Sequence, residues 1–443
     1  MSAAESIERF RQLLRIPTVS RADASATDWG QFDLFVATVE NLYPRVHASL
    51  TREVVAGHSL LYRWAGREHG NPAVLMAHYD VVPATDAGWR HPPFAATLIG
   101  EGDEQLLWGR GTIDDKGALV SVLEAVEARL AAGFTPRNDI YLSFGHDEET
   151  AGTGAAAIVA RLAAQSVAPA LVLDEGGAVV ENIFPGVAGP IGVVGVSEKG
   201  TVSVQLRVTQ QGGHASTPPK DTATARLARA IVRLDRTPFG AYFSPPTLAM
   251  IRTLGARARQ PYRFLFRNLW LTRMPLLAVF ARLGDETNAM IRTTMAVTEL
   301  SGSAAANVLA ESATATVNIR VAVGSTTASA VDRVHRAIAD PLVEISTLHS
   351  WEPSPVSPNT GAAWDAISSS IEQTFAGAVV TPYVQLGASD SRHFTAISRN
   401  VYRFSPFELT AEQRGALHAI DERISVSTWL RGIAFYETLI TKL

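Results

Sequence analysis

Short apolar runs alternate with helical patterns along the first 200 residues. The runs AVLMAHYD (73–80), DIYLSFGHDEE (139–149) and ALVLDEGG (170–177) predict buried strands that end in polar residues. Between the first two, KGALVSVLEAVEARLAAG (116–133) has apolar residues at helical spacing and ends on Gly133, a typical helix C-cap. This alternation favours a mostly parallel sheet covered by helices. Functional groups of such sheets gather beyond the carboxyl ends of the strands, where all three polar clusters lie.

Near Ser197 the pattern changes to regular alternation. The stretches KGTVSVQLRVTQ (199–210) and SATATVNIRVAV (312–323) alternate apolar and polar residues, which predicts strands with one solvated face. A helical pattern follows each stretch, TATARLARAIVRLDR after the first and TASAVDRVHRAIAD after the second. Two strand–helix repeats of this kind predict a small α+β unit.

This small unit interrupts a larger one. SWEPSPVSPN (350–359) is a Pro-rich connector, after which helix and strand patterns return. We therefore predict an α/β fold in which a mixed, mostly parallel sheet is sandwiched by helices and an α+β domain is inserted. The main domain is expected at residues 1–198 and 353–443, and the inserted domain at 199–352.

The segment YRFLFRNLWLTRMPLLAVFARLG (262–284) departs from these patterns. It is rich in Leu, Phe and Trp, but four arginines interrupt it, so no run is long enough to span a membrane. A pair of packed amphipathic helices is the first interpretation. A hydrophobic substrate groove or a membrane-surface contact is the alternative. We hypothesise that this segment lines a substrate entrance and favours apolar groups. The basis is the apolar block formed by Phe264, Leu265, Phe266, Leu269, Trp270 and Leu271.

Composition narrows the possible chemistry. A length of 443 residues predicts two or more domains, and 47% hydrophobic residues supply a large core. The formal charge of -4 disfavours nucleic acid as a partner. The chain has no cysteine, so a bound metal must use His, Asp and Glu. The N-terminal ESIERFRQLLRIPTVS resembles a charged amphipathic helix and not a signal peptide, which predicts a cytoplasmic protein without a transmembrane segment.

Polar residues follow the first predicted strand and precede the next helix. His78 and Asp80 lie two apart at the strand end, so their side chains leave the same face. His78 can bind a metal while the Asp80 carboxylate accepts its other ring N–H, which fixes the tautomer. In GRGTIDDKG, Asp114 and Asp115 immediately precede a helix. They are either ordinary capping groups or carboxylates that bridge two cations.

Two further acidic clusters follow later strands. HDEET (146–150) places three acids in a row at a strand end, which is electrostatically costly without cations. One acid of such a cluster can hold metal while its neighbour activates water. LDEGG (173–177) repeats the pattern on another segment. Four acidic clusters at strand ends together predict a carboxylate-rich metal site that includes a histidine.

The order of these motifs resembles a known family. HYD, DAGWRHPPF…LWGRGTIDDKG, GHDEETAGTGA, LDEGG, GGHAS and LHAIDE follow one another as in the aminoacylase and carboxypeptidase G family of co-catalytic zinc hydrolases. That family includes succinyl-diaminopimelate desuccinylase and carnosinase. VSEKG, GHASTPPKDTAT and the tail YRFSPFE…LHAIDERIS are most similar to the branch of carboxypeptidase S and the N-acyl amino acid synthase/hydrolases.

The resemblance implies a site for two zinc ions, for which Co²⁺ or Mn²⁺ can substitute. Asp174 is the alternative to Glu175 as a ligand, because related sequences carry either acid type here. His393 in DSRHF competes with His418 in LHAIDE, and the family motif favours the later histidine. The implied ligands are His78, Asp114 as the bridge, Glu149, Glu175 and His418.

Catalytic and substrate-binding residues are also implied. Asp80 would orient His78, and Glu148 would be the general base. His214 of GGHAS would stabilise the oxyanion, often in the active site of the partner subunit. Glu422 is expected to be a surface acid of a helix and not a ligand. The residues implied to hold the substrate are Asn307, Arg320 and Gly387, with Arg392 as a further candidate carboxylate binder.

The implied activity is hydrolysis of an amide bond beside a free carboxylate by metal-activated water. The substrate would be a small molecule or a short peptide, either cleaved as by a carboxypeptidase or dipeptidase or carrying an N-acyl group. An aminoacylase for long-chain N-acyl amino acids is one alternative, and a non-catalytic binding protein with the same fold is the other. The inserted domain would act as a lid and support a homodimer.

Overall fold

The structure, a computed structural model, describes residues 2–181 and 183–443. The strands are β1 (Thr51–Val55), β2 (Ser59–Trp64), β3 (Glu68–His78), β4 (Thr97–Ile99), β5 (Leu106–Trp108), β6 (Asn138–Gly145), β7 (Leu171–Val180), β8 (Ile191–Glu198), β9 (Gly200–Thr209), β10 (Gly213–His214), β11 (Thr294–Ser301), β12 (Val308–Leu309), β13 (Ser312–Val321), β14 (Glu344–Trp351), β15 (Val379–Gln385), β16 (Val401–Glu408) and β17 (Arg423–Ser425). The helices are α1 (Ala3–Leu14), α2 (Trp29–Leu42), α3 (Pro44–Ser49), α4 (Lys116–Ala131), α5 (Gly154–Ala164), α6 (Ala223–Asp235), α7 (Pro245–Arg257), α8 (Tyr262–Arg267), α9 (Leu269–Leu283), α10 (Asp285–Met290), α11 (Thr327–Ile338), α12 (Ala362–Thr374), α13 (Ser391–Phe394), α14 (Ala411–Gly415) and α15 (Val426–Ile440).

An eight-stranded sheet forms the centre of the larger unit, in the order β1-β2-β6-β3-β7-β16-β8-β15. The neighbours β6, β3, β7 and β16 run parallel to one another, and so do β8 and β15. The edge pair β1–β2 is antiparallel, and β2 also pairs antiparallel with β6. The predicted mixed, mostly parallel sheet is therefore confirmed.

Helices cover both faces of this sheet. Successive residues of a strand point to opposite faces, and β3 shows this division. Ala73, Leu75 and Ala77 belong to the core cluster that contains α4 and α15, whereas Val74 and Met76 pack with residues of α5 and α13. Because both faces are covered, the central strands are apolar on both sides, as expected for parallel strands.

The helix between the first two predicted strands begins and ends as its sequence indicates. Helix α4 starts at Lys116, and Gly133 follows its end with a φ of +72°. A positive φ suits glycine, which has no Cβ to clash. The first twelve residues of α4 are all buried, because the helix lies between the sheet and α15.

A second sheet has four antiparallel strands in the order β11-β13-β9-β14, with α6 and α11 packed against it. β13 alternates between half-buried and buried residues along its whole length, as predicted. The first half of β9 is buried on both faces, which differs from the predicted single solvated face. The reason is that a single residue, Lys199, separates β8 of the large sheet from β9, so β9 begins where the two sheets meet.

Helices α7 and α9, which lie between α6 and β11, pack against the core of the large sheet. Met250, Ile251 and Leu254 of α7 and Phe280 of α9 belong to the same apolar cluster as the strands of that sheet. The core of the four-stranded sheet contains none of the described residues of α7–α10. The predicted domain division at residues 198 and 352 stays a prediction, with this segment as a bridge between the two units. Among residues 2–181 and 183–443, no helix combines the length and apolarity that crossing a bilayer requires.

Candidate metal centre

Three parallel strands deliver the polar clusters to one edge of the large sheet. β3 ends at His78, which is in register with Gly145 at the end of neighbouring β6. The acidic turn Glu148–Thr150 follows β6 directly. β7 lies on the other side of β3 and carries Glu175. Because parallel strands end at the same edge, motifs that are almost 100 residues apart in sequence become neighbours.

Asp80 fixes both the His78 ring and the acidic turn. His78 Nδ1 lies 3.2 Å from Asp80 Oδ1 and 3.0 Å from the Asp80 carbonyl oxygen. The same carboxylate accepts hydrogen bonds from the backbone N–H groups of Glu148 and Glu149, at 3.2 and 3.1 Å, and from the Ser20 hydroxyl at 2.6 Å. The predicted pairing of Asp80 with His78 is thus present, and Asp80 also positions the next motif.

His78 presents its second nitrogen to two carboxylates. Its Nε2 lies 3.0 Å from Asp114 Oδ1 and 3.5 Å from Glu175 Oε1. On the other side of Asp114, Oδ2 lies 2.9 Å from His418 Nε2, which is 3.1 Å from Glu149 Oε2. Two groups of three residues therefore share Asp114, with one of its oxygens turned toward each group.

The two groups have the composition and spacing of metal sites. Within each, one ligand atom per residue lies within 4.8 Å of the others. One group contains His78, Asp114 and Glu175, and the other contains Asp114, Glu149 and His418. His393 and Asp174 belong to neither group among the described residues. Asp174 instead accepts the backbone N–H of Ser391 at 2.8 Å.

Crowded carboxylates perturb the acidity of the site. Burial raises the pKa of Glu175 to about 8, and the negative charge of Asp114 acts in the same direction. Burial and Asp114 also raise the pKa of Glu149. Although burial opposes it, hydrogen bonds from His418 and His78 hold the pKa of Asp114 below its ordinary value.

Divalent cations fit these residues. Glu149 Oε1 is buried and has no hydrogen-bond partner among the described residues, although an unpaired buried carboxylate oxygen is costly. Each group offers imidazole nitrogen and carboxylate oxygen, which are common zinc ligands. A carboxylate that turns one oxygen to each group is the arrangement of a bridging ligand between two ions.

Glu422 is buried, so the expectation of a surface acid was wrong. Its carboxylate pairs with Arg110 Nη1 at 2.7 Å and is fully covered. It also accepts the backbone N–H groups of Gly111, Ile113 and Asp114, at 3.1, 2.8 and 3.3 Å. Glu422 thus holds the loop that carries Asp114. A sequence pattern could not show this, because the loop and Glu422 are more than 300 residues apart.

Glu148 lies in the acidic turn beside the second group. Its backbone is held by Asp80, and the carboxylate belongs to neither three-residue group. Burial raises the pKa of Glu148, and the neighbouring charges of Glu175, Asp390 and Glu149 contribute to the same shift. The side chain is half-buried, which leaves it a path to a bound molecule.

The predicted substrate residues lie in three places. His214 and Asn307 are exposed neighbours at a two-stranded ribbon, where the Ala215 N–H donates to the Asn307 carbonyl at 3.0 Å. Arg320 of β13 donates to Thr201 Oγ1 at 3.1 Å and to Asn318 Oδ1 at 3.2 Å. No described hydrogen bond or ion pair joins these three side chains to the metal groups. Arg392 donates to the Ser389 carbonyl and stacks over Trp351.

Gly387 lines an apolar cavity of about 340 Å³ that the sequence did not reveal. Its walls come from the end of β7 and the loop after it, from α7 and α9, and from the end of β15. Two of its lining residues, Gly176 and Leu417, directly follow Glu175 and precede His418. The cavity therefore lies within one residue of Glu175 from one metal group and of His418 from the other. Apolar lining side chains include Val180, Phe184, Val193, Met250, Leu254, Phe280, Leu283 and Tyr383.

The segment 262–284 reaches this cavity through its C-terminal part. Phe280 and Leu283 line the cavity, whereas the described lining includes no residue of the block 264–271. Phe266 is buried behind it, 4.7 Å between ring centroids from Phe184, and Trp270 is 84% exposed. The two packed helices of the first interpretation are present as α8 and α9. Their apolar residues divide between the core, the cavity and the surface.

Comparison with known proteins adds to this geometry. The profile of peptidase family M20/M25/M40 matches residues 74–442. N-fatty-acyl-amino acid synthase/hydrolase PM20D1 of Xenopus tropicalis is 37% identical over 442 residues, 98% of this chain and 85% of that protein. Probable carboxypeptidase S-like 2 of Dictyostelium discoideum is 36% identical over 452 residues, 99% of this chain and 85% of that protein. The crystal structure of the M20 family metallo-carboxypeptidase Sso-CP2 from Sulfolobus solfataricus aligns with a TM-score of 0.71 at 17% identity, covering 100% and 99% of the two chains.

Proposed function

Because the chain belongs to peptidase family M20/M25/M40 and is a metal-dependent hydrolase of amide bonds in peptides or N-acyl amino acids, we propose that it prefers N-acyl amino acids with a long apolar acyl chain. The predicted family and its carboxypeptidase S and N-acyl amino acid hydrolase branch are confirmed. The identities of 37% and 36% do not separate an acyl substrate from a peptide. The apolar cavity beside the metal groups is the observation that favours the acyl chain.

The cavity suits a flexible hydrocarbon better than a peptide. A peptide brings backbone N–H and C=O groups that need partners when they are buried. The walls around Met250, Leu254 and Phe280 offer almost only apolar atoms. Among the described lining residues, Arg414 Nη1 forms an ion pair with Glu286 at 3.1 Å. Each methylene buried in such a cavity contributes about 0.8 kcal/mol.

The proposed metal ligands are His78, Asp114, Glu149, Glu175 and His418, with Asp114 shared between two zinc ions. Co²⁺ or Mn²⁺ can replace zinc because the ligand set contains only nitrogen and oxygen. Bound ions supply Lewis acidity for the amide carbonyl and acidify the attacking water. Asp80 keeps the His78 ring in place through Nδ1, which leaves Nε2 to face the ion.

Glu148 is the proposed general base. It follows the end of β6 and is adjacent to the ligand Glu149, so it reaches the same space from the same turn. It takes the proton of the attacking water as the new C–O bond forms at the amide carbonyl. The same carboxyl then protonates the leaving nitrogen as the C–N bond breaks, which releases the fatty acid and the free amino acid.

The inserted sheet completes the site in this proposal. His214 stabilises the oxyanion, and Asn307 and Arg320 bind the substrate carboxylate, for which a guanidinium has matching geometry. The exposed position of His214, without a described contact to either metal group, supports its use in the site of a second subunit. A homodimer through the inserted unit and a cytoplasmic location stay predictions.

Steady-state kinetics on two substrate series test the acyl preference. One series consists of N-acyl phenylalanines from acetyl to octanoyl, and the other of dipeptides that end in phenylalanine. All substrates are used at concentrations at which they stay monomeric in solution. We expect kcat/KM to rise about three- to fourfold per methylene while the chain fits the cavity. Equal kcat/KM at every acyl length, or faster turnover of the dipeptides, would refute the preference and favour a carboxypeptidase.

A matched pair of variants ties the preference to the cavity. Leu283→Glu places a charge in the cavity wall, whereas Leu271→Glu places one on the same helix outside it. The two leucines are 56% and 57% exposed, so both substitutions should leave folding intact. Leu283→Glu should lower kcat/KM for the octanoyl substrate far more than for the acetyl substrate. Leu271→Glu should show the wild-type dependence on chain length.

A further inference from the structure

Helices α8 and α9 expose an apolar surface that nothing in the described chain covers. We call this surface the α8–α9 face. Each of its five large apolar residues has more than half of its side chain exposed. Such exposure in one connected place marks a binding surface more often than isolated exposed leucines do. The five residues are Phe264, Trp270, Leu271, Met274 and Val279.

The helical geometry of α9 makes the exposed residues contiguous. Trp270 and Met274 are four residues apart, and so are Leu271 and Pro275, so they form two adjacent rows along the helix. The opposite side is buried against the main core by Leu276, Leu277 and Phe280. The helix is therefore apolar on both its inner and its outer side. A helix that is apolar all round is normally buried on all sides, in protein or in lipid.

Basic residues flank the apolar residues of the α8–α9 face along the chain. Between residues 236 and 284 the chain has eight arginines and no Asp, Glu or Lys, although its formal net charge is -4. The six arginines from 257 onward are all exposed. They are Arg257, Arg259, Arg263, Arg267, Arg273 and Arg282.

From this combination we propose that the α8–α9 face docks on an anionic lipid surface. Apolar side chains flanked by basic residues insert into the interface, while the arginines attract anionic headgroups. A second copy of this chain fits less well as the occupant. A two-fold interface brings the same patch of both copies together, so the exposed arginines of the two copies would face one another.

Docking in this orientation would place the cavity next to the lipid. The inner side of α9 supplies Phe280 and Leu283 to the cavity, while its outer side carries Trp270 and Met274. Acyl substrates that partition into a bilayer would then reach the cavity without crossing water. This consequence rests on the proposed acyl preference, whereas the docking itself does not.

Vesicle sedimentation tests the docking without any measurement of activity. The full chain is mixed with vesicles of phosphatidylcholine, or of phosphatidylcholine with about one third phosphatidylglycerol. We expect binding to the anionic vesicles that weakens with salt, and far weaker binding to the neutral ones. Trp270→Ala/Met274→Ala should lower the partition coefficient about tenfold or more. Arg267→Glu/Arg273→Glu should lower it at least about 25-fold, since each basic residue contributes about fivefold.

Matched variants elsewhere on the surface are the controls. Leu342→Ala/Leu348→Ala removes two leucines that are 61% and 52% exposed, and Arg21→Glu/Arg67→Glu reverses two exposed arginines. Neither should change vesicle binding by more than about twofold. Wild-type protein that ignores anionic vesicles, or equal losses in the test and control variants, overturns the proposal. A wild-type dimer that Trp270→Ala/Met274→Ala converts to monomer, without vesicle binding, would identify the face as a contact between copies.

Discussion

Replacing Glu422 should both destabilise the protein and weaken metal binding by both groups, which share Asp114. The carboxylate is fully buried, pairs with Arg110 at 2.7 Å and accepts three backbone N–H groups of the loop that ends at Asp114. In Glu422→Ala the buried guanidinium loses its counter-charge, and the three N–H groups lose their acceptor. Breaking one partner of a buried ion pair costs about 3–5 kcal/mol, so we expect a loss of that size in the free energy of unfolding.

Urea denaturation of the metal-free protein measures this loss, and zinc analysis of the purified protein measures the second effect. Zinc content should fall because the loop no longer holds Asp114, the residue that both metal groups share. Glu437→Ala is the control, since Glu437 forms a partly exposed pair with Arg129 at 3.2 Å. Such a pair contributes about 1 kcal/mol or less. If Glu422→Ala costs no more than Glu437→Ala and keeps full zinc content, our account of the loop is wrong.

Three further predictions concern the metal centre. Glu148→Gln should lower kcat by several orders of magnitude and retain both ions, whereas Glu149→Gln should also lose zinc. Equal metal loss in the two variants would contradict these roles. His418→Ala should reduce zinc content and His393→Ala should not. His418 lies within 3.1 Å of Asp114 and Glu149, whereas His393 belongs to neither metal group among the described residues. The reverse result would assign the ligand to His393. Chelation should lower the melting temperature and added zinc should restore it, because a ligand at about 1,000 times its Kd stabilises by about 4 kcal/mol. An unchanged melting temperature would argue against a metal bound by the folded chain alone.

The division of the chain between two sheets could be predicted only in part. The alternating runs at 199–210 and 312–323 do form neighbouring strands, because period-two alternation is the direct mark of a half-buried strand. The helices at 245–290 follow the inserted strand in sequence but pack on the core of the large sheet. An apolar helix face shows that something covers it, and does not show which of two cores does so.

The sequence predicted the contact of Asp80 with His78 but did not predict the burial of Glu422, and the difference has a physical reason. Asp80 is two residues from His78, so strand geometry alone brings both side chains to one face. Glu422 contacts a loop more than 300 residues away, and its short-range surroundings are polar like those of any surface acid. A local sequence pattern can predict contacts between residues that are close in the sequence. It does not show that a charged side chain is buried against a partner far away in the sequence.

The sequence by itself determined the strand-end motifs, the type of candidate metal ligands and the family, because these depend on residue identity, order and short-range periodicity. The tertiary structure decided which oxygen of Asp114 faces which histidine, and it brought His418 to the acidic turn and left His393 outside the metal groups. It also decided that Phe280 and Leu283 line a cavity while Trp270 on the same helix stays exposed. The sequence shows only whether each of these residues is apolar or polar. Only the packing of distant segments determines whether each one meets protein, ligand or solvent.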